Sequence, residues 1–221
     1  MLEHKTRYLQ LAFNYDIGLV QRVLPTLMQS SRIIIEAGTP FIKREGVRGI
    51  QAIHSLWKGH LAADLKTTDG ADDEVRMVCA AGATAATVMG SSPKEALDKF
   101  ITACEDAGMD SMIDMLGVHD PLRVLLNLRK PPGVVILHRG RDEESTRGKV
   151  IQYRHVNRIF SKYNVLISAA GGVDLKEARS AIFNGASIVV VNLVMPGDDW
   201  VGIRTTDNIR AMAQEFLTTI E

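Results

Sequence analysis

Along this chain, short apolar runs rich in β-branched residues alternate with longer stretches of helical periodicity. The runs read RIIIEAG, ATVMG, SMIDM, GVVILHRG, NVLISAAGG and SIVVVNL. Runs of this length, without the in–out alternation of a half-exposed strand, suit strands covered on both faces, as in a parallel sheet. Between them, Ile17, Val20, Leu24 and Leu27 keep the three-and-four spacing of one helix face, as do Leu97, Phe100, Ile101 and Cys104. Ile209, Met212, Ala213, Phe216, Leu217 and Ile220 repeat it near the end of the chain. Punctuation agrees. Ser92-Pro93-Lys94-Glu95 reads as a capping serine, a first-turn proline and a closing glutamate, and Asp174-Leu175-Lys176-Glu177 does the same with aspartate. Gly59, Gly82, Gly108 and Gly185 each follow a helical pattern and precede a strand, where a left-handed cap is expected. A strand–helix unit recurring about every 25 residues, about eight times, forces parallel pairing through right-handed crossovers and has the size of a closed barrel. The fold expected over residues 1–221 is therefore α/β, a single-domain (β/α)8 TIM barrel, with an open doubly wound sheet as the alternative.

The 221 residues, 46% of them hydrophobic, are enough for one domain with a substantial core. Lys plus Arg and Asp plus Glu both number 26, so the formal net charge is zero and no basic field for nucleic acid exists. The densest basic set, Arg139, Arg141, Arg147 and Lys149, is too short for a duplex footprint. Cys79 and Cys104 both fall in helical segments and read as buried free thiols of a reducing compartment. The N-terminal MLEHKTRYLQLAF lacks the apolar stretch of a signal peptide, and no apolar run approaches the ~20 residues of a membrane span. A cytoplasmic protein with neither a membrane nor a nucleic-acid partner is expected.

The residues that end each apolar run carry the chemistry. Asn14 ends the first, Glu36 the second, Asp64 and Lys66 the third, Met89-Gly90 the fourth, Asp114 the fifth and His138 the sixth. Ser168 comes late in the seventh, before Gly171-Gly172, and Asn192 ends the eighth. In a parallel barrel these ends share one rim, where active sites are built. Charged groups gathered there must satisfy each other, a metal or a ligand. Side chains alternate along a strand, so Asp64 and Lys66 are expected on one face, each keeping the other ionised. Asp69 lies just past that strand, within reach of the mouth or of a neighbouring subunit. Asp72, Asp73 and Glu74 fall at a helix start, where acids complement the helix dipole, and are given no chemical role.

Three stretches together, EAGTPFIKREG (Glu36 to Gly46), ADLKTTD (Asp64, Lys66, Asp69) and SAAGGV (Gly171, Gly172), resemble the 3-hexulose-6-phosphate synthases. Those enzymes group with 3-keto-L-gulonate-6-phosphate decarboxylases in the orotidine-monophosphate-decarboxylase superfamily. The likeness extends in order through TVMG and MIDMLGVHDP. It implies a sugar-phosphate substrate, a homodimer with shared active sites, and Mg²⁺ (or Mn²⁺) held by Glu36 and Asp64. It further implies Lys66 facing the reacting oxygens and Asp69 serving the other subunit's site. Hard carboxylate oxygens suit such a cation, and an ammonium beside it would stabilise an enediolate as its charge develops. His138 is the candidate for proton transfer. The substrate-binding set is Asn14, Glu36, Arg141, Gly171, Gly172 and Asn192.

An enediolate of ribulose 5-phosphate that attacks formaldehyde makes a synthase; one formed by loss of carbon dioxide makes a decarboxylase. The Glu36 and Asp64 stretches lean to the synthase, whereas Arg141 resembles the decarboxylases. Orotidine-monophosphate decarboxylase itself fits less well, because Gly70 follows Asp69. Two positions depart from the pattern. Asn14 replaces an aspartate that would pair with Lys66, so the lysine pKa is expected to be lower than in relatives. Asn192-Leu193 replaces a glycine-led phosphate grip, and the leucine is expected to place bulk against the oxyanion. These departures keep open an enediolate lyase with a changed substrate and a sugar-phosphate-binding barrel without catalysis. The segment 196–207, PGDDWVGIRTTD, reads as a surface loop, with a lid or a dimer contact as alternatives.

Overall fold

In the computed structural model, which describes residues 1–144, 146 and 148–221, eight strands pair in chain order and the last returns to the first. They are β1 (Tyr8–Phe13), β2 (Ile33–Ala37), β3 (His60–Thr67), β4 (Ala85–Met89), β5 (Asp110–Asp114), β6 (Val134–His138), β7 (Leu166–Ala170) and β8 (Ile188–Val194). All pairings are parallel, and Leu9 of β1 lies opposite both Ile33 of β2 and Val189 of β8, which closes the barrel. The open sheet is thereby ruled out. Around the barrel run α1 (Ile17–Val23), α2 (Thr39–Leu56), α3 (Ala71–Ala80), α4 (Lys94–Asp106) and α5 (Pro121–Leu126). The β6–β7 connection carries two short helices, α6 (Arg141–Glu144) and α7 (Val156–Phe160); α8 (Leu175–Phe183) precedes β8. Then comes β9 (Ile203–Arg204), paired to Leu193 and Val194 of β8, and finally α9 (Ile209–Thr219). Arg147 of the basic set lies outside the described residues. Among the described residues no helix is long and apolar enough to cross a membrane.

The strands are apolar on both faces because each face has its own core. Leu9, Leu11, Ile33, Ile35, Val189 and Val191 pack outward against the helices. Tyr8, Ala12, Ile34, Met112, Val134 and Ile188 pack inward as the barrel's filling. Burying each large side chain contributes about 1.5–3 kcal/mol. Above that inward layer the alternation delivers polar residues at the C-terminal rim.

The expected caps hold in part. Asp174 accepts from the Glu177 backbone N–H at 2.7 Å and starts α8. Ser92 does not cap α4; Pro93 flanks that helix, and the serine hydroxyl instead donates to the Thr67 carbonyl. Gly82, Gly108 and Gly185 have φ of 98°, 68° and 95°, the left-handed exits expected. Gly59 does not share that conformation. It is required for another reason: a Cβ there would come within 2.8 Å of the Trp57 indole nitrogen. Cys79 and Cys104 are both free thiols, and burial pushes the Cys104 thiol up to about 12.

Candidate active site

Inward-facing strand ends open into one cavity of about 500 Å³, lined by Asn14, Glu36, Asp64, Lys66, His138 and Asn192 among others. Asp64 and Lys66 meet there with Nζ 3.1 Å from Oδ1. Simple alternation is not what brings them together. β3 advances from Ala63 to Thr67 while its neighbour β4 advances only from Ala86 to Val88, a bulge in the ladder. Within the bulge Lys66 has φ of 50°, the only non-glycine residue with positive φ among the described residues. Thr87 of β4 clamps the distortion: its hydroxyl accepts from the Lys66 backbone N–H (2.9 Å) and donates to Asp64 Oδ1 (2.8 Å). Thr39, at the start of α2, donates to Asp64 Oδ2 at 2.7 Å. Both carboxylate oxygens of Asp64 are thus fixed before any ligand arrives.

Asp114 is the residue that sequence reasoning placed at a strand end without giving it a role. It is 1% exposed, and it receives Lys66 Nζ at 2.5 Å and His138 Nδ1 at 2.9 Å. The Leu116 backbone N–H adds a third bond, to Oδ1, at 2.9 Å. Burial opposes ionisation of this carboxyl, but the hydrogen bond and charge of His138, then Lys66, outweigh it and hold its pKa well below the usual carboxylate range. Burial likewise works against the Lys66 ammonium, yet Asp64 and Asp114 raise its pKa above the ordinary lysine value. Asp114 supplies a counterion that Asn14 does not. Asn14 turns instead to Asn192, donating to its side-chain carbonyl at 3.0 Å.

Glu36 is 7% exposed, and burial followed by the charge of Asp64 pushes its carboxyl up to about 7. Gln10, inward on β1, donates to Glu36 Oε2 at 2.5 Å, while its own Oε1 is buried without a partner. Among the described residues no three His, Cys, Asp or Glu side chains gather into a metal cluster. Two carboxylates and an orphaned amide oxygen nevertheless fit a hard cation of the Mg²⁺ type, which takes one or two carboxylates and leaves its remaining positions to water and substrate.

Opposite them lie Gly171 and Gly172, with φ of 100° and 64°. Arg139 donates to both of their carbonyls, at 3.0 and 3.4 Å, and a Cβ on Gly171 would fall 1.9 Å from the Arg139 carbonyl oxygen. Gly171 lines the cavity, as does Arg141 at the start of α6. Leu193 does not. It is fully buried in the outer core and pairs with Ile203 of β9, because alternation along β8 turns Asn192 inward and the next side chain outward. The bulk expected against an oxyanion is absent from that place. Asp69 is exposed beyond the end of β3, outside the cavity of its own chain. Ser168 is fully buried within the barrel, below the mouth.

The model of the orotidine 5′-phosphate decarboxylase / HUMPS family matches residues 9–192, a span that takes in every strand of the barrel up to Asn192. The chain belongs to that family. It is 35% identical over 215 residues to the bifunctional enzyme Fae/Hps of Methanosarcina barkeri, covering 96% of this chain and 52% of that protein. The chain thus spans about half the length of the curated relatives it matches. In fold it is similar to 3-hexulose-6-phosphate synthase from Salmonella typhimurium, with a TM-score of 0.82 at 24% identity and coverage of 96% and 98% of the two chains. It is similar in fold also to 3-keto-L-gulonate-6-phosphate decarboxylase from Vibrio cholerae (TM-score 0.75, 19% identity, 97% of each chain).

Proposed function

We propose that the chain is an aldehyde-lyase of the 3-hexulose-6-phosphate synthase kind, joining formaldehyde to ribulose 5-phosphate through an enediolate. The observation that carries this reading is the Lys66 ammonium, held between Asp64 and Asp114 and facing the cavity beside His138. Asp114 accepts a hydrogen bond from His138 Nδ1–H, an arrangement that presents the Nε2 lone pair as the base. His138 removes a proton from carbon 1 of the ketose. Charge then develops on the two oxygens of the enediolate, and Lys66, already oriented, meets it without reorganisation. Carbon 1 attacks the formaldehyde carbon, and the new alkoxide is protonated as the hexulose 6-phosphate forms. Asn14 and Asn192 orient hydroxyls of the sugar, and Gly171, which lines the cavity ahead of Gly172, offers backbone to the phosphate.

Glu36 and Asp64, with the Gln10 amide oxygen beside them, would hold a divalent cation, Mg²⁺ or Mn²⁺. When bound, the cation supplies Lewis-acid polarisation of the ketose carbonyl and hydroxyl oxygens. Asp69, turned away from its own cavity, serves the site of a second copy in a homodimer. The decisive assay supplies formaldehyde, ribulose 5-phosphate and metal, and follows hexulose 6-phosphate. Product absent with EDTA and in Lys66→Ala supports the reading; wild-type turnover no higher than the Lys66→Ala background removes it. Arg141 in the cavity favours a second reading, decarboxylation of 3-keto-L-gulonate 6-phosphate, and release of carbon dioxide from that compound would establish it. The reading as a barrel without catalysis loses one motive, because Leu193 does not intrude on the site.

A further inference from the structure

The segment after β8 does more than connect it to α9. Trp200 stacks on Tyr15 from the β1–α1 loop, with ring centroids 6.1 Å apart and planes inclined by 11°. On the Trp200 ring lies the Arg141 guanidinium, 3.2 Å from the centroid. The three groups form one stack at the edge of the cavity. Its base is tied down: Tyr15 donates its hydroxyl to Asp198 and accepts from the Met195 backbone N–H. Val201 N–H reaches Glu144 of α6, and Arg204 holds the carbonyls of Met195 and Asp198.

α6 explains why this stack is needed. It is a single turn of four residues with no buried side chain, so it has no apolar face to seat it on the barrel. Arg141 therefore takes its position from what touches its guanidinium, and that is Trp200. The stack uses only the flat face of the ion. Among the described residues, no carboxylate forms an ion pair with Arg141 and no acceptor takes its N–H groups. Of the nearby acids, Glu143 holds Lys149 and the Gly140 N–H, Glu144 takes Val201 N–H, Asp198 takes Tyr15, and Asp142 is exposed to solvent. A guanidinium stacked on its face, with its donor edge free in a cavity, is built to receive an oxyanion in the two-pronged manner of Arg–phosphate pairs.

We propose that Arg141 is the anion anchor for the phosphate of the substrate and that Trp200 is its positioning residue. This rests on the reading of a phosphorylated substrate and goes beyond it by assigning the grip that the Asn192-Leu193 departure had left open. Tyr15 supports Trp200 by stacking on it.

Calorimetry with inorganic phosphate, with ribulose 5-phosphate and with unphosphorylated ribulose tests the assignment without turnover. Trp200→Leu should weaken phosphate and ribulose 5-phosphate about three- to thirtyfold, the range of a cation–aromatic contact. Trp200→Phe should restore most of that affinity, Arg141→Leu should lose at least as much as Trp200→Leu, and ribulose should be indifferent to all three. Where turnover is measurable, KM for the phosphorylated ketose should rise while kcat stays within about twofold. Unchanged phosphate affinity in Trp200→Leu overturns the proposal. So does an equal loss for unphosphorylated ribulose, which would mean a collapsed mouth. Unaltered circular dichroism and unfolding midpoint keep misfolding out of the comparison. A chain that binds phosphate as described but makes no hexulose phosphate would overturn the synthase reading and leave this one standing.

Discussion

Asp114→Asn tests the charge arrangement directly. The substitution keeps the shape and the bond from Leu116, and removes one buried negative charge that the Lys66 ammonium and the His138 ring share. Each charge-assisted bond contributes about 1.5–3 kcal/mol, and an amide oxygen would retain part of each. Lys66 also keeps Asp64. The expected loss at pH 7 is therefore about 2–4 kcal/mol, at or just below the 3–5 kcal/mol of breaking a buried pair outright. The folded-state pKa of Asp114 is depressed, so its stabilisation is complete above the unfolded carboxyl value of about 3.9 and is lost as pH falls through the lower folded value. Urea unfolding of wild type and variant should accordingly show a gap at pH 7 that narrows below about pH 4. In turnover the variant should lose about a hundredfold in kcat, since both the ammonium and the imidazole lose their orientation. Equal midpoints at pH 7, or a gap as wide at pH 2 as at pH 7, would refute the assignment of Asp114 as the shared counterion.

Leu193→Ala should lower stability by about 2–5 kcal/mol, measured by urea unfolding, while KM for the sugar phosphate stays within about twofold, because that side chain belongs to the outer core. Gly171→Ala should lose about 2–4 kcal/mol and most phosphate affinity, since its φ of 100° and the nearby Arg139 carbonyl leave no room for a methyl group; a normal thermal midpoint would contradict this. Mixing Asp69→Ala and Lys66→Ala subunits should restore about a quarter of wild-type turnover, as one intact site forms in each mixed dimer; two inactive proteins that stay inactive on mixing would exclude shared sites.

Barrel and rim were legible in the sequence because a polar residue that ends an apolar run has few places to go. Glu36, Asp64, Lys66 and His138 announced themselves that way. Asp114 ended a run just as they did, but its meaning depends on β5 lying near both β3 and β6, which only the closed sheet reveals. Gln10 carried a signal that could have been read, a lone amide inside YLQLAF at an inward position two residues below Ala12. Thr87 and Thr39 carried none, since β-branched residues in strands and threonine at a helix start need no chemical reason. Strict alternation would have sent Leu193 outward had it been applied to the neighbour of Asn192. Applied to β3 it predicted a shared face correctly for the wrong reason, because the backbone there is out of register. Tyr15, Arg141 and Trp200 are far apart in the chain, and nothing local links them.

That break in register limits how this barrel can change. Segments between strand and helix can lengthen or shorten while the barrel beneath stays intact. The interval from Ala63 to Thr67 has no such tolerance. A one-residue insertion or deletion would rotate the acid or the base out of the mouth, and copying the two side chains onto a regular strand of another barrel would not reproduce their contact. The spacing of that pentapeptide, more than the identity of its letters, is the part a designer would have to transplant whole.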